Sequence, residues 1–151
     1  MDLHPDFSDL LVEFAHFGVS YALLGGYAVG VYAKPRATKD MDLLVSGASD
    51  NLERVSRALA AFGAPAHVVE AARNMGSTEI VYLGNPPLRI DLLRNADGLD
   101  TEKVIARANR VEVGDMRIPV VALDDLIANK RAAGRAQDIA DVAALEAVRR
   151  P

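Results

Sequence analysis

The stretch Leu24-Gly-Gly-Tyr-Ala-Val-Gly-Val-Tyr-Ala-Lys-Pro-Arg-Ala-Thr-Lys-Asp-Met-Asp-Leu-Leu-Val45 decides the reading of this chain. It opens at the end of an apolar run, Ser20 to Leu24, that reads as a buried strand. Gly25-Gly26 then marks a tight turn, and Tyr27 to Tyr32 suits a short helix. Lys34-Pro35-Arg36 breaks the pattern. Met41 to Val45 reads as a second strand with Asp40 and Asp42 at its head. Side chains two apart on a strand share a face, so the two carboxylates stand together. Like charges beside a core are costly unless something neutralises them. A divalent cation such as Mg²⁺, which takes oxygen ligands and bridges to phosphates, does so. By itself an Asp-x-Asp pair also reads as a turn residue followed by a solvated one. Gly25-Gly26 reads either as a turn needing positive φ or as backbone amides aimed at phosphate oxygens.

Working outward, Leu3, Phe7, Leu10, Leu11, Phe14 and Phe17 fall at helical spacing, with Pro5 suited to the first turn and Gly18 to the stop. A third helix is expected from near Asp50, with Glu53 at capping-box spacing, to Gly63. Ala66 to Val69 reads as β-like, and His67 within it lacks a partner at ligand spacing, so it reads as structural. Thr78–Leu83 and Leu88–Leu93 flank Gly84-Asn85-Pro86-Pro87 as a hairpin. Asp100 suits the cap of a short helix through Ala108. Val111, Val113, Met116, Ile118 and Val120 alternate around Gly114-Asp115 as a second hairpin. Helices over 124–133 and 137–149 close the chain. The expected fold is α/β (α+β), a small mixed sheet with helices packed against it. It is read as one domain, residues 1–151, with a core over 1–121 and a C-terminal helical pair over 122–151.

Asp91 adds to the Asp40/Asp42 pair. In Leu88-Arg-Ile-Asp-Leu-Leu-Arg94 it shares a face with Arg89 and Leu93. Alone it reads as a charge facing solvent. If its strand neighbours that of Asp40 and Asp42, three carboxylates converge. Such a set holds two metal ions about 3.5–4 Å apart, one activating an attacking hydroxyl and one steadying a leaving phosphate.

Composition narrows the partners. Of 151 residues, half are hydrophobic and a quarter charged, which excludes collagen, coiled coil and wholesale disorder. Net charge is −4, so there is no global field for a phosphate backbone. Cysteine is absent, which excludes disulfides, zinc–thiolate sites and thiol nucleophiles. The start, MDLHPDF, has no basic region before an apolar stretch, and the longest apolar run is shorter than a membrane span. A cytoplasmic protein without membrane contact is expected.

Gly25-Gly26, thirteen residues, then Asp40-Met-Asp42 resembles the signature of the DNA polymerase β-like nucleotidyltransferase superfamily. Leu24 and Leu43 fill its hydrophobic positions, and Arg36-Ala-Thr38-Lys-Asp40-Met-Asp42 looks like the form of small bacterial members. Leu126 to Asp141, with four residues between Lys130 and Arg135 and acids shortly after, is similar to the closing segment of AbiEii-like (type IV toxin–antitoxin) nucleotidyltransferases. The resemblance spans roughly residues 20 to 145. It implies transfer of a nucleoside monophosphate from an NTP to an acceptor hydroxyl on RNA (tRNA-like) or protein. Two Mg²⁺ ions are implied, and a toxin–antitoxin or phage-defence setting with a cognate antitoxin or toxin as partner. Asp40, Asp42 and Asp91 are implied as catalytic and metal-binding. Gly25, Gly26, Arg36, Thr38, Lys130 and Arg135 are implied to bind the nucleotide. Gly26 departs from the Gly-Ser variant and leaves only backbone amides there. The length leaves little space for a dedicated acceptor domain. A catalytically silent module that keeps the pocket and acts through a protein partner is the alternative, and a metal phosphohydrolase using the same acids ranks behind both.

Several of these residues have plainer readings. Lys130 and Arg135 suit the negative end of a helix, and Asp138 suits a surface pair with Arg135. Asp138 and Asp141 read as structural acids of a first helical turn. Thr38 reads as shaping the chain before the strand, and Tyr27 and Tyr32 as core.

Overall fold

The computed structural model describes residues 3–38, 40–85 and 88–150. The Pro86-Pro87 part of the first hairpin turn lies outside them. The elements, in order, are α1 (Pro5–His16), β1 (Tyr21–Leu24), α2 (Gly25–Tyr32), β2 (Asp40–Val45), α3 (Ser49–Phe62), α4 (Ala66–Arg73), β3 (Ile80–Leu83), β4 (Arg89–Leu93), α5 (Thr101–Ala106), β5 (Asn109–Val113), β6 (Met116–Val120), α6 (Leu123–Ala133) and α7 (Ala136–Arg149). The expected mixed sheet is present, with six strands in the order β3-β4-β2-β1-β6-β5. β1–β6 and β2–β4 pair parallel, and the other neighbours pair antiparallel.

The two apolar strands read from sequence lie at the centre, and their composition explains why. All of β1 and residues Met41, Leu43, Leu44 and Val45 of β2 are buried. A strand covered on both faces gains from a continuous apolar run rather than an alternating one. Phe7, Leu10, Leu11 and Phe14 of α1 are almost fully buried, and Phe7 and Phe14 meet Tyr27 and Tyr21 edge-on. Tyr32 donates to the carbonyl of Val121 at 2.7 Å and accepts from Asn109, so its hydroxyl is satisfied. Both tyrosines of α2 thus serve packing, as expected.

Three local expectations are corrected. Ala66–Val69 is the start of helix α4, not a strand. Val68 and Ala72, one turn apart, are its buried stripe, and α4 packs on α3. Exposed His67 is on its other side. No capping box forms at Asp50. The helix starts at Ser49 after Ala48, and Glu53 instead pairs with Arg57 and Arg73. Helix α2 begins at Gly25 rather than Tyr27, so both glycines are its first turn.

Candidate active site

The parallel pairing of β2 with β4 builds the centre of the site. Its register sets Asp42 opposite Asp91 and Asp40 opposite Arg89. Side chains opposite each other on neighbouring strands share a face, so the three expected carboxylates meet at one end of the sheet. Asp91 is buried, so it is not the solvated charge that its strand alone suggests. From the other side, Leu24 of β1 pairs with Asp42, and the chain passes directly into α2.

That passage explains both glycines. Gly25 has φ +70°, and a Cβ there would lie 2.2 Å from Oδ2 of Asp42. A Cβ on Gly26 would lie 2.7 Å from Oγ1 and 2.9 Å from Cβ of Thr38. A serine at position 26 would therefore meet Thr38, and the departure from the Gly-Ser form has a steric cause. The first turn of α2 has no side-chain cap, and it begins at Gly25, directly against the Asp42 side chain.

Lys130 and Arg135 arrive from α6 and the start of α7. Lys130 is only 5% exposed. Its Nζ lies 3.2 Å from Oδ1 of Asp138 and 3.1 Å from Oδ2 of Asp141, which are 1% and 3% exposed. Arg36 grips Asp141 through Nε and Nη2, both at 2.9 Å. Arg135 reaches Asp138 through Nε at 2.7 Å and its backbone amide at 3.1 Å. The five side chains form one chain of alternating charge, Arg36–Asp141–Lys130–Asp138–Arg135. Burial works against the charge on Asp138, but hydrogen bonds from Arg135 and Lys130 outweigh it and hold the carboxyl at about 2. Asp141 is lowered in the same way, with Arg36 foremost against burial. The surface-pair reading of Asp138 is corrected here: both acids are buried and fix the cations of the cleft. Their spacing after Lys130 was the available signal, because positions 138 and 141 share a helical face.

Asp42 is the opposite case. Burial, then the neighbouring charges of Asp91 and Asp40, push its carboxyl up to about 6, and Lys130 and Arg89 only partly offset this. No hydrogen bond among the described residues reaches its carboxylate. Arg89 neutralises the other two acids, as its Nε lies 2.8 Å from Oδ1 of Asp91 and its Nη2 3.1 Å from Oδ2 of Asp40. In the sequence, Arg89 falls on the face of Asp91, which is the local signal of its place here.

Two adjoining hollows meet over these acids. One, of about 570 Å³, is lined by Asp91, Arg89, Ile80, Leu93, Asn95, Asp97 and Asn129. The other, of about 460 Å³, is lined by Gly26, Arg36, Thr38, Gln137 and Asp138. Gly25, Asp40, Asp42, Lys130 and Arg135 line both. All nine residues expected at the site are therefore brought to one cleft.

Residues 6–150 match the family described as nucleotidyl transferase of unknown function (DUF2204). The chain belongs to this nucleotidyl transferase family. Its fold is similar to the solution structure of the antibiotic-resistance factor ANT(2″)-Ia, with a TM-score of 0.55 and 14% identity, over 95% of this chain and 87% of that one. At that identity the likeness speaks for the fold. No curated protein matches the chain. Membership supports the nucleotidyltransferase resemblance at the level of the superfamily and leaves the AbiEii-like subgroup as a proposal.

The donor set fits a divalent cation. Carboxylate oxygens are the ligands Mg²⁺ takes, and the carboxylate of Asp42 lacks a donor. Among the described residues, however, no three His, Cys, Asp or Glu side chains stand as a ready metal cage. The Arg89 guanidinium lies between Asp40 and Asp91 instead. No helix among them is long and apolar enough to cross a membrane.

Proposed function

We propose that the protein moves a nucleoside monophosphate from an NTP to an acceptor hydroxyl. The pairing of Asp42 with Asp91 beneath the Gly25 backbone carries this reading. It gathers carboxylates, open helix amides and a buried lysine within one cleft. Asp40 and Asp42 are the residues to hold Mg²⁺. When bound there, the ion would neutralise triphosphate charge and draw the α-phosphate toward the acids.

The chain's own residues divide the cleft. The hollow beside Gly26, Arg36 and Thr38 suits the triphosphate, because the uncapped first turn of α2 and the cations Arg36, Lys130 and Arg135 line it. Lys130 sits where the two hollows join and suits the charge that develops on the leaving pyrophosphate. Arg135, 78% exposed, adds a cation at the rim. The hollow beside Asp91, Asn95, Asp97 and Asn129 then takes the acceptor, whose hydroxyl Asp91 orients. The acceptor oxygen bonds to the α-phosphorus and its proton passes to water. The bond from that phosphorus to the bridging oxygen breaks, and pyrophosphate leaves with the electron pair.

The acceptor hydroxyl is proposed to lie on RNA or protein. The likeness of Leu126–Asp141 to the closing segment of AbiEii-like enzymes supports a toxin–antitoxin or phage-defence setting with a cognate protein partner. Mass spectrometry of RNA and protein pools incubated with the enzyme, each NTP and Mg²⁺ tests this. A gain of one nucleoside monophosphate is expected, lost with Asp91→Asn while labelled NTP still binds. A silent binding module predicts no mass gain with either form.

A further inference from the structure

One side of the carboxylate cluster already has a cation. Arg89 stands two residues before Asp91 on β4 and directly opposite Asp40. Its Nε donates to Oδ1 of Asp91 at 2.8 Å and its Nη2 to Oδ2 at 3.0 Å, so one planar fork holds both oxygens. The same Nη2 donates to Oδ2 of Asp40 at 3.1 Å. The guanidinium also lies over Tyr82 of β3, 5.3 Å from the ring centre, because Tyr82 pairs with Asp91 across the sheet.

An arginine cannot shed this charge, since its guanidinium stays protonated in proteins. A metal ion on Asp91 would therefore have to displace a two-pronged ion pair, take Nη2 from Asp40, and lift the side chain off Tyr82. Otherwise it would sit within a few ångströms of a fixed like charge. The other side of the cluster differs. Asp42 and the second oxygen of Asp40 accept no hydrogen bond from the described residues, and both carboxylates line both hollows. That is where a positive charge is wanted.

We propose that the site takes one divalent ion, held by Asp40 and Asp42, and that Arg89 is the resident cation of Asp91 in place of a second. This rests on the nucleotidyl-transfer reading and departs from the expectation of two Mg²⁺ ions shared by three acids. The Arg89–Asp91 pair then positions the acceptor hydroxyl as a fixed unit, with no metal on that side of the cleft. Arg89 is in this sense a positioning residue whose charge sets how many metal ions the cleft accepts.

Counting metal ions tests it without reference to turnover. The full chain is titrated with Mn²⁺ under a saturating NTP analogue whose α,β bridge is methylene. Free Mn²⁺ is read by electron paramagnetic resonance, and bound analogue is measured by equilibrium dialysis of the same samples. Arg89→Met and Arg89→Gln are titrated alongside, with circular dichroism melts to confirm folding. One Mn²⁺ per chain–nucleotide complex is expected for the natural sequence and two for the variants. Two in the natural protein overturns the proposal, and this count stands even if neither variant folds. One in all three forms overturns the role given to Arg89. If no form binds the analogue or Mn²⁺, the nucleotidyl-transfer reading itself fails, and the proposal with it.

Discussion

Asp42 shows the tension between folding and function most sharply. Folding raises its carboxyl from 3.8 to about 6. The unfolded chain therefore loses this proton first as pH rises. Across roughly pH 4 to 6 the folded state is progressively destabilised relative to the unfolded one. Above that window the cost is on the order of 2–3 kcal/mol. Asp42→Asn is accordingly expected to raise the melting temperature at pH 7 while abolishing transfer, and to flatten the fall in stability across pH 4 to 6. Thermal melts at a series of pH values check both. An unchanged profile in the variant would show that Asp42 is not the strained group. Gly25 allows the opposite experiment. Gly25→Ala needs a positive φ and sets a methyl 2.2 Å from Asp42 Oδ2. A loss of more than about 1 kcal/mol in a urea unfolding curve is expected.

At the scale of elements, α7 matters to the site through two acids rather than through its apolar face. Asp138 and Asp141 hold Lys130 in a nearly dry environment, and removing one partner of a buried ion pair typically costs about 3–5 kcal/mol. Asp141→Asn is therefore expected to destabilise the fold strongly and to loosen Arg36 as well, measured by chemical denaturation. The carboxyl of Asp138, lowered by folding to about 2, works the other way from Asp42. Its contribution is fully present above the ordinary 3.8 and is lost as pH falls toward 2. Acid unfolding in that range should be blunted in Asp138→Asn. These elements also show what sequence could and could not reveal. β1, β2 and both hairpins were legible because apolar runs and turn residues mark them locally. Helix α4 was not, because Ala66-His-Val-Val69 is too short to separate a period of two from one of 3.6. The buried charge chain was not legible either. Arg36 and Asp141 lie 105 residues apart, and only the packing of α7 beside α2 makes them partners. Arg89 was visible as a residue on the right face, but its claim on Asp91 depends on side-chain reach.

For the whole molecule, the weak net charge of −4 conceals a cleft in which acids and cations meet in pairs. Three acids gather at the end of β2 and β4, while Arg36, Lys130 and Arg135 stand across the cleft from them. The nine site residues implied by the family resemblance come together because β2 and β4 run parallel side by side and α6 and α7 pack on α2. NTP with Mg²⁺ is expected to raise the melting temperature far more than either alone, since each completes the other's charge. Nucleotidyl transfer in this cleft can be followed with two labels. Protein, Mg²⁺ and acceptor pools are incubated with NTP labelled at the α- or the γ-phosphate. The α-label is expected in the acceptor and the γ-label in released pyrophosphate, and Asp42→Asn is expected to give neither. Release of γ-label as orthophosphate with no α-label on any acceptor would contradict nucleotidyl transfer.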